Sequence, residues 1–139
     1  MEQTEVPTLV DSSVFIDLLQ RGLDPAAILT QTISSTDLAT CGMVRMEVLR
    51  GVKTTKARDP LARFFDVLQN VPTDNRLWEE AALLAWKTDR SSGGSLPAQD
   101  ILIAASALRI GAVVLTQDLH FRKIAGLRVR WWPDERPHW

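Results

Sequence analysis

Between Pro97 and Thr116 the chain reads PAQDILIAASALRIGAVVLT, and no other stretch limits the fold so tightly. Proline suits a helix start, the Ala-rich stretch through Arg109 continues it, and Gly111 is a good stop. Ala112 to Leu115 is then a short apolar run that reads as a strand buried on both faces, and Pro7 to Val10 is a second run of the same kind. Strands covered on both faces belong to parallel sheets, and a helix joining parallel strands implies a right-handed crossover. The expected class is α/β: a mostly parallel sheet covered by helices.

The remaining segments fill in that plan. A strand is expected at Val6 to Val10, helices at Ser13 to Gln20 and Pro25 to Ile33, and a short strand at Asp37 to Cys41. A helix from Gly42 to Arg50 should stop at Gly51. Pro60 suits the start of the next helix, with Leu61, Phe64, Phe65 and Leu68 at helical spacing, and Val71 opens a brief edge strand broken by Pro72. Asp74 or Asn75 caps a helix whose apolar face, Leu77, Trp78, Ala81, Leu84, Ala85 and Trp86, should be core. Ser91 to Ser95 (SSGGS) reads as a loop between helices. Leu127 to Trp131 alternates in polarity, as an edge strand with one wet face does.

With 139 residues the chain suits one domain, 1–139, large enough to bury a sheet under helices. Its net charge of −1 excludes a uniformly basic nucleic-acid binder. The bases are nonetheless clustered. Arg45, Arg50, Lys53, Lys56, Arg58 and Arg63 form one group, and Arg122, Lys123, Arg128, Arg130 and Arg136 another. Each patch either holds a phosphate backbone or is a solvated face. Cys41, the single cysteine, cannot form an internal disulfide and suits a small buried hydrophobe, which favours a reducing cytoplasm. No stretch approaches the ~20 apolar residues of a membrane span, so a soluble, non-exported, cytoplasmic protein is expected.

Four carboxylates then stand out. Asp11 and Asp118 follow the two buried strands, at the edge where open parallel sheets bind ligands. Glu47 and Asp100 interrupt apolar helical stretches. Each has an ordinary alternative: a helix cap for Asp11 and Asp118, an ion pair with Arg50 or Arg45 for Glu47, and the positive end of its helix for Asp100. Together they point to one site, where mutual repulsion raises the proton affinity of at least one acid unless a cation neutralises them. Oxygen ligands select Mg²⁺ or Mn²⁺, and such an ion pairs with substrate phosphate, suggesting hydrolysis of a phosphodiester. The two histidines, His120 and His138, have no ligand spacing and no nucleophile elbow, so both read as surface residues. Trp131, Trp132 and Trp139 suit an edge or oligomer contact better than base stacking.

Taken in order, DSSVFIDLL at Asp11, MVRMEVLRG around Glu47, LPAQDILIAASAL around Asp100 and VVLTQDLHF at Thr116 to Phe121 resemble the PIN-domain ribonucleases, and within them the VapC-type toxins of type II toxin–antitoxin pairs. The resemblance runs from Leu9 to Val129. It puts Asp11, Glu47, Asp100 and Asp118 on the family's acidic positions and Ser13 and Thr116 on its supporting ones, although many relatives have asparagine where Ser13 stands. It implies a PIN-like three-layer α/β fold, with four to five mostly parallel strands flanked by helices. It further implies Mg²⁺- or Mn²⁺-dependent endoribonuclease activity on single-stranded or loop RNA, a homodimer, and a cognate VapB-like antitoxin covering the acidic groove.

On this reading Asp11, Asp100 and Asp118 hold one or two ions, and Glu47 completes the shell or orients water. Ser13 and Thr116 support them, while Arg50 and Lys53 hold flanking phosphates. The alternative is a non-catalytic PIN-like module that binds RNA or protein. A DNA flap nuclease is the nearer enzymatic rival. Receiver-like and haloacid-dehalogenase-type sites fit poorly, because Ser12 and Ser13 stand where they need a second acid.

Overall fold

The computed structural model describes residues 6–133, and Arg136, His138 and Trp139 lie outside them. Five strands, β1 (Thr8–Val10), β2 (Leu38–Cys41), β3 (Gln69–Val71), β4 (Val113–Thr116) and β5 (Val129–Trp131), form one sheet in the order β3-β2-β1-β4-β5. Every neighbouring pair is parallel. Helices α1 (Ser12–Gln20), α2 (Pro25–Leu29), α3 (Gly42–Arg50), α4 (Thr55–Val67), α5 (Asn75–Ser92) and α6 (Ala98–Ile110) make the connections. The sheet is therefore wholly, rather than mostly, parallel.

Strand order places the site. From β1 the chain moves outward to β2 and β3, then returns to lay β4 against the other side of β1. The order in which strands are added thus reverses at β1, and the carboxyl ends of β1 and β4 flank the crevice that such a switch opens. The register of Val10 opposite Leu115 brings Asp11 level with the end of β4, and the Asp11 amide donates to the Leu115 carbonyl at 2.9 Å.

Central strands are buried as their composition requires: all residues of β1 and β2 are buried, and Phe15, Phe65, Phe121, Leu77 and Ile103 fill the layers around them. Cys41 is buried at the end of β2. In α6 every residue from Asp100 to Ala107 is buried, so small alanines let this helix pack closely. Arg128 and Arg130 are exposed beside half-buried Val129 and Trp131, the alternation expected of β5 at the sheet edge.

Several expectations need correction. The first strand starts at Thr8, and α2 ends at Leu29, where the C-cap Thr30 donates both its amide and its hydroxyl to the Ala26 carbonyl. Pro60 lies inside α4, whose start is capped by Thr54 accepting from the Ala57 amide. Leu77 and Ala81 of α5 are buried, but Trp78 is 53% and Trp86 56% exposed, so the apolar stripe is wider than the face α5 gives to the core. Ser91 and Ser92 belong to the last turn of α5, which Gly93 ends in the left-handed region at φ 80°. Among the described residues no helix is long and apolar enough to cross a membrane.

Candidate metal centre

Asp11 ends β1 and caps α1, so its ordinary role as a cap is real. Capping does not account for its surroundings. It is only 3% exposed, and one oxygen, Oδ2, accepts from the Ser13 amide at 3.3 Å, the Ser13 hydroxyl at 2.7 Å and the Thr116 hydroxyl at 2.9 Å. Among the described residues Oδ1 takes no hydrogen bond. With Oδ2 so held, Oδ1 is left available to a cation or to water.

Thr116, fully buried at the end of β4, acts in two directions. Its hydroxyl donates to Asp11 and accepts from the Asp118 amide at 2.9 Å. Ser13 accepts from the Gln117 amide at 3.1 Å, tying the start of α1 to the turn after β4. These two hydroxyls, both expected as supports, fix Asp11 and Asp118 relative to each other.

Asp100 lies in the first turn of α6 and is 7% exposed. Burial, with the charges of Asp118 and Asp11 nearby, pushes its carboxyl up to about 6, against a lowering hydrogen bond from His120. The charges of Asp118 and Asp11 thus both reach Asp100, although Asp11 is not among the residues whose ligand atoms lie within 4.8 Å of one another. Among the described residues, none of the four acids forms an ion pair with an arginine or lysine.

Glu47 stands beside this group rather than within it. Its Oε1 accepts from the Ser12 hydroxyl at 2.9 Å, which anchors α3 to the start of α1 next to Asp11. Arg45, its suggested ion-pair partner, binds Asp66 at 2.7 Å instead.

His120 reads as a surface residue in the sequence, and its side chain is 43% exposed, but its ring also faces two of the acids. Its Nδ1 lies 2.8 Å from Asp100 Oδ2 and 3.2 Å from Asp118 Oδ1. Ligand atoms of Asp100, Asp118 and His120 all fall within 4.8 Å of one another. The only trace of this in the sequence is the two-residue step from Asp118. Asp118 caps the short 3₁₀ turn Leu119–Lys123, accepting from the His120 amide at 2.9 Å, and the turn swings the ring back toward α6.

The donor set suits a divalent cation: a buried carboxylate with raised proton affinity, a half-buried one, and one imidazole nitrogen. Arg50 and Lys53, the expected phosphate contacts, are exposed and form no ion pair among the described residues. Arg50 lines a groove between α3 and α4 with Arg45, Met46, Leu49 and Arg58. In the second basic group Arg122, Lys123, Arg128 and Arg130 are exposed, and Arg128 donates to the Gly111 carbonyl at 2.9 Å. Trp132 packs back rather than outward, its indole donating to Asp17 at 3.2 Å.

Comparison with known proteins places these observations in context. The family model of the PIN domain matches residues 8–127. Ribonuclease VapC11 of Mycobacterium tuberculosis is 27% identical over 121 residues, spanning 84% of this chain and 90% of its own. The structure of DNA-bound VapBC from Salmonella typhimurium covers 92% of this chain and 99% of the compared chain, with a TM-score of 0.73 at 18% identity. VapBC-1 from nontypeable Haemophilus influenzae gives 0.73 at 17% identity, covering 93% and 100%. At such identities the structures speak for the fold.

Proposed function

Because the chain belongs to the PIN domain family, we propose that it is a metal-dependent endoribonuclease that cleaves single-stranded or loop RNA as the toxin of a toxin–antitoxin pair. One observation supports this: Asp100 and Asp118 gather with His120 at the carboxyl edge of the sheet, the Asp11 charge is near enough to act on Asp100, and among the described residues none of these acids pairs with an arginine or lysine. The whole chain, 1–139, is read as one PIN-like domain.

Mg²⁺ or Mn²⁺ bound by Asp11, Asp100 and Asp118 would lower the pKa of a water and stabilise charge on the scissile phosphate. Hydrolysis forms a bond from the water oxygen to phosphorus and breaks the bond to the leaving sugar oxygen, which takes a proton. Thr116 and Ser13 hold the Asp11 carboxylate in place, so its free oxygen needs no reorganisation when the site fills. Glu47, held by Ser12, completes the shell or orients the attacking water. Arg50 and Lys53 hold the RNA backbone on either side of the cut, a sequence-independent contact.

The relatives' names support the partners as well. VapC11 is named a ribonuclease, and the Salmonella and Haemophilus structures are VapBC assemblies. We assign this chain a VapB-like antitoxin and a homodimeric state. A single buried cysteine and the lack of a spanning helix among the described residues fit a cytoplasmic site of action.

The test is cleavage of a labelled RNA, alongside a DNA strand of matched sequence, by the wild type and by D11N and D100N. Expected are RNA cleavage restored by Mg²⁺ or Mn²⁺ after chelation, little cutting of DNA, and losses of at least about 100-fold in both variants. Correctly folded D11N or D100N cutting RNA at the wild-type rate would refute the mechanism. A chain that binds RNA but neither Mn²⁺ nor Mg²⁺ would be the non-catalytic module instead.

A further inference from the structure

His120 is absent from the set of acids on which the reading above rests, yet its ring sits against two of them. Nδ1 faces Asp100 Oδ2 at 2.8 Å and Asp118 Oδ1 at 3.2 Å, and the backbone of the same residue is pinned to Asp118 Oδ1. The side chain is 43% exposed, so Nε2 can keep its hydrogen toward water while Nδ1 turns its lone pair to the carboxylates. Without a metal the positive element between Nδ1 and the carboxylates is the proton of the hydrogen bond to Asp100, and a cation can take that proton's place once Nδ1 presents its lone pair. Adjacent ligands of an octahedral ion, at bonds of 2.0–2.1 Å, stand about 3 Å apart, and the two observed separations bracket that spacing.

Building on the metal-dependent reading, we infer that His120 supplies a nitrogen ligand through Nδ1, beside Asp100 and Asp118, and so biases the site toward Mn²⁺ and other first-row ions over Mg²⁺. Magnesium takes oxygen and parts reluctantly with water, whereas imidazole suits transition ions. An all-carboxylate site would have no such preference built in. The 3₁₀ turn is the device that achieves it: capping by Asp118 orients its own neighbour, so the two ligands come as a unit. The exposed edge of the ring lets the site fill without opening the core.

Pulsed electron paramagnetic resonance on the Mn²⁺-loaded protein reads the bond directly, without turnover. Expected is coupling to a directly bound nitrogen in the wild type that disappears in H120A and H120Q, with both variants keeping the wild-type circular dichroism spectrum. Calorimetry should show Mn²⁺ affinity falling by about 10-fold or more in H120A, and Mg²⁺ affinity changing by much less. No nitrogen coupling in the wild type, or coupling that survives in H120A because another histidine supplies it, overturns the assignment. A D100N control separates the two levels. Mn²⁺ binding that depends on Asp100 but shows no nitrogen signal rejects His120 alone, whereas no Mn²⁺ binding, or equal binding to D100N, rejects the metal-dependent reading as well.

Discussion

The Thr116 hydroxyl donates to Asp11 Oδ2 across 2.9 Å, joining the ends of β4 and β1 through two buried side chains 105 positions apart in the chain. Valine has nearly the same shape but cannot donate. T116V should leave a buried carboxylate short of one donor and free the Asp118 amide, costing about 1.5–3 kcal/mol because the lost bond involves a charged group. Urea unfolding would measure this, and an unchanged midpoint would mean that water replaces the hydroxyl.

Asp100 makes stability depend on pH without metal. Its carboxyl is pushed up to about 6, chiefly by burial, from an ordinary value of 3.8. Between those values the folded state holds a proton that the unfolded state has released, so this group's contribution falls as pH rises from about 4 to about 6. D100N lacks that slope. In chelator, its stability advantage over the wild type should be largest above pH 6 and shrink toward pH 4, as urea midpoints across that range would show. Added Mn²⁺ should raise the wild-type melting temperature more at pH 7.5 than at pH 5, where protons compete for the site.

Ser12 holds Glu47 from a different helix. S12A should fold normally and cleave RNA about 10-fold more slowly, a smaller loss than in E47Q, since the carboxylate remains but is no longer anchored. Single-turnover rates separate the two variants; equal losses would show that the hydroxyl acts directly on the substrate.

Arg50 and Lys53 are free of ion pairs among the described residues. If both touch RNA phosphates, R50A/K53A should weaken binding of many RNA sequences alike. The slope of log affinity against log salt should flatten by about 0.7 for each single-strand phosphate left without its cation. Titrations at several salt concentrations test this, and an unchanged slope would assign these bases to a solvated face.

Pro60 interrupts the hydrogen bonding of α4 on its exposed side. Replacing it with alanine restores a backbone donor, while the freer unfolded chain takes back part of the gain. P60A should be more stable by about 1 kcal/mol, seen as a melting temperature higher by a few degrees. A lower one would mean that Pro60 packs against Leu19 and Leu23 across the groove they share.

Local patterns carry the elements. The runs at Val10 and Leu115, the Gly111 stop at φ 66° and the Asp74 cap, which accepts from the Leu77 amide at 2.8 Å, depend on neighbours in the chain and are legible from it. Pro60 departs from expectation because proline favours a helix start without requiring one, and the stronger Thr54 cap lies six residues earlier. The α5 tryptophans depart from it because helical spacing tells which residues share a face, not how much of that face is covered.

What the amino-acid order determined by itself was the kind of fold and the four carboxylates, since burial on both strand faces and acids in apolar stretches are written in residue type and spacing. Tertiary structure alone decided that Asp100 and Asp118 come together with His120, that the Asp11 charge reaches Asp100, and that Glu47 is held by Ser12. The reason is that strand order sets which loops share a crevice. β4 pairs with β1 rather than with β3, and a short capped turn aims one ring across to another helix, neither of which any local spacing encodes.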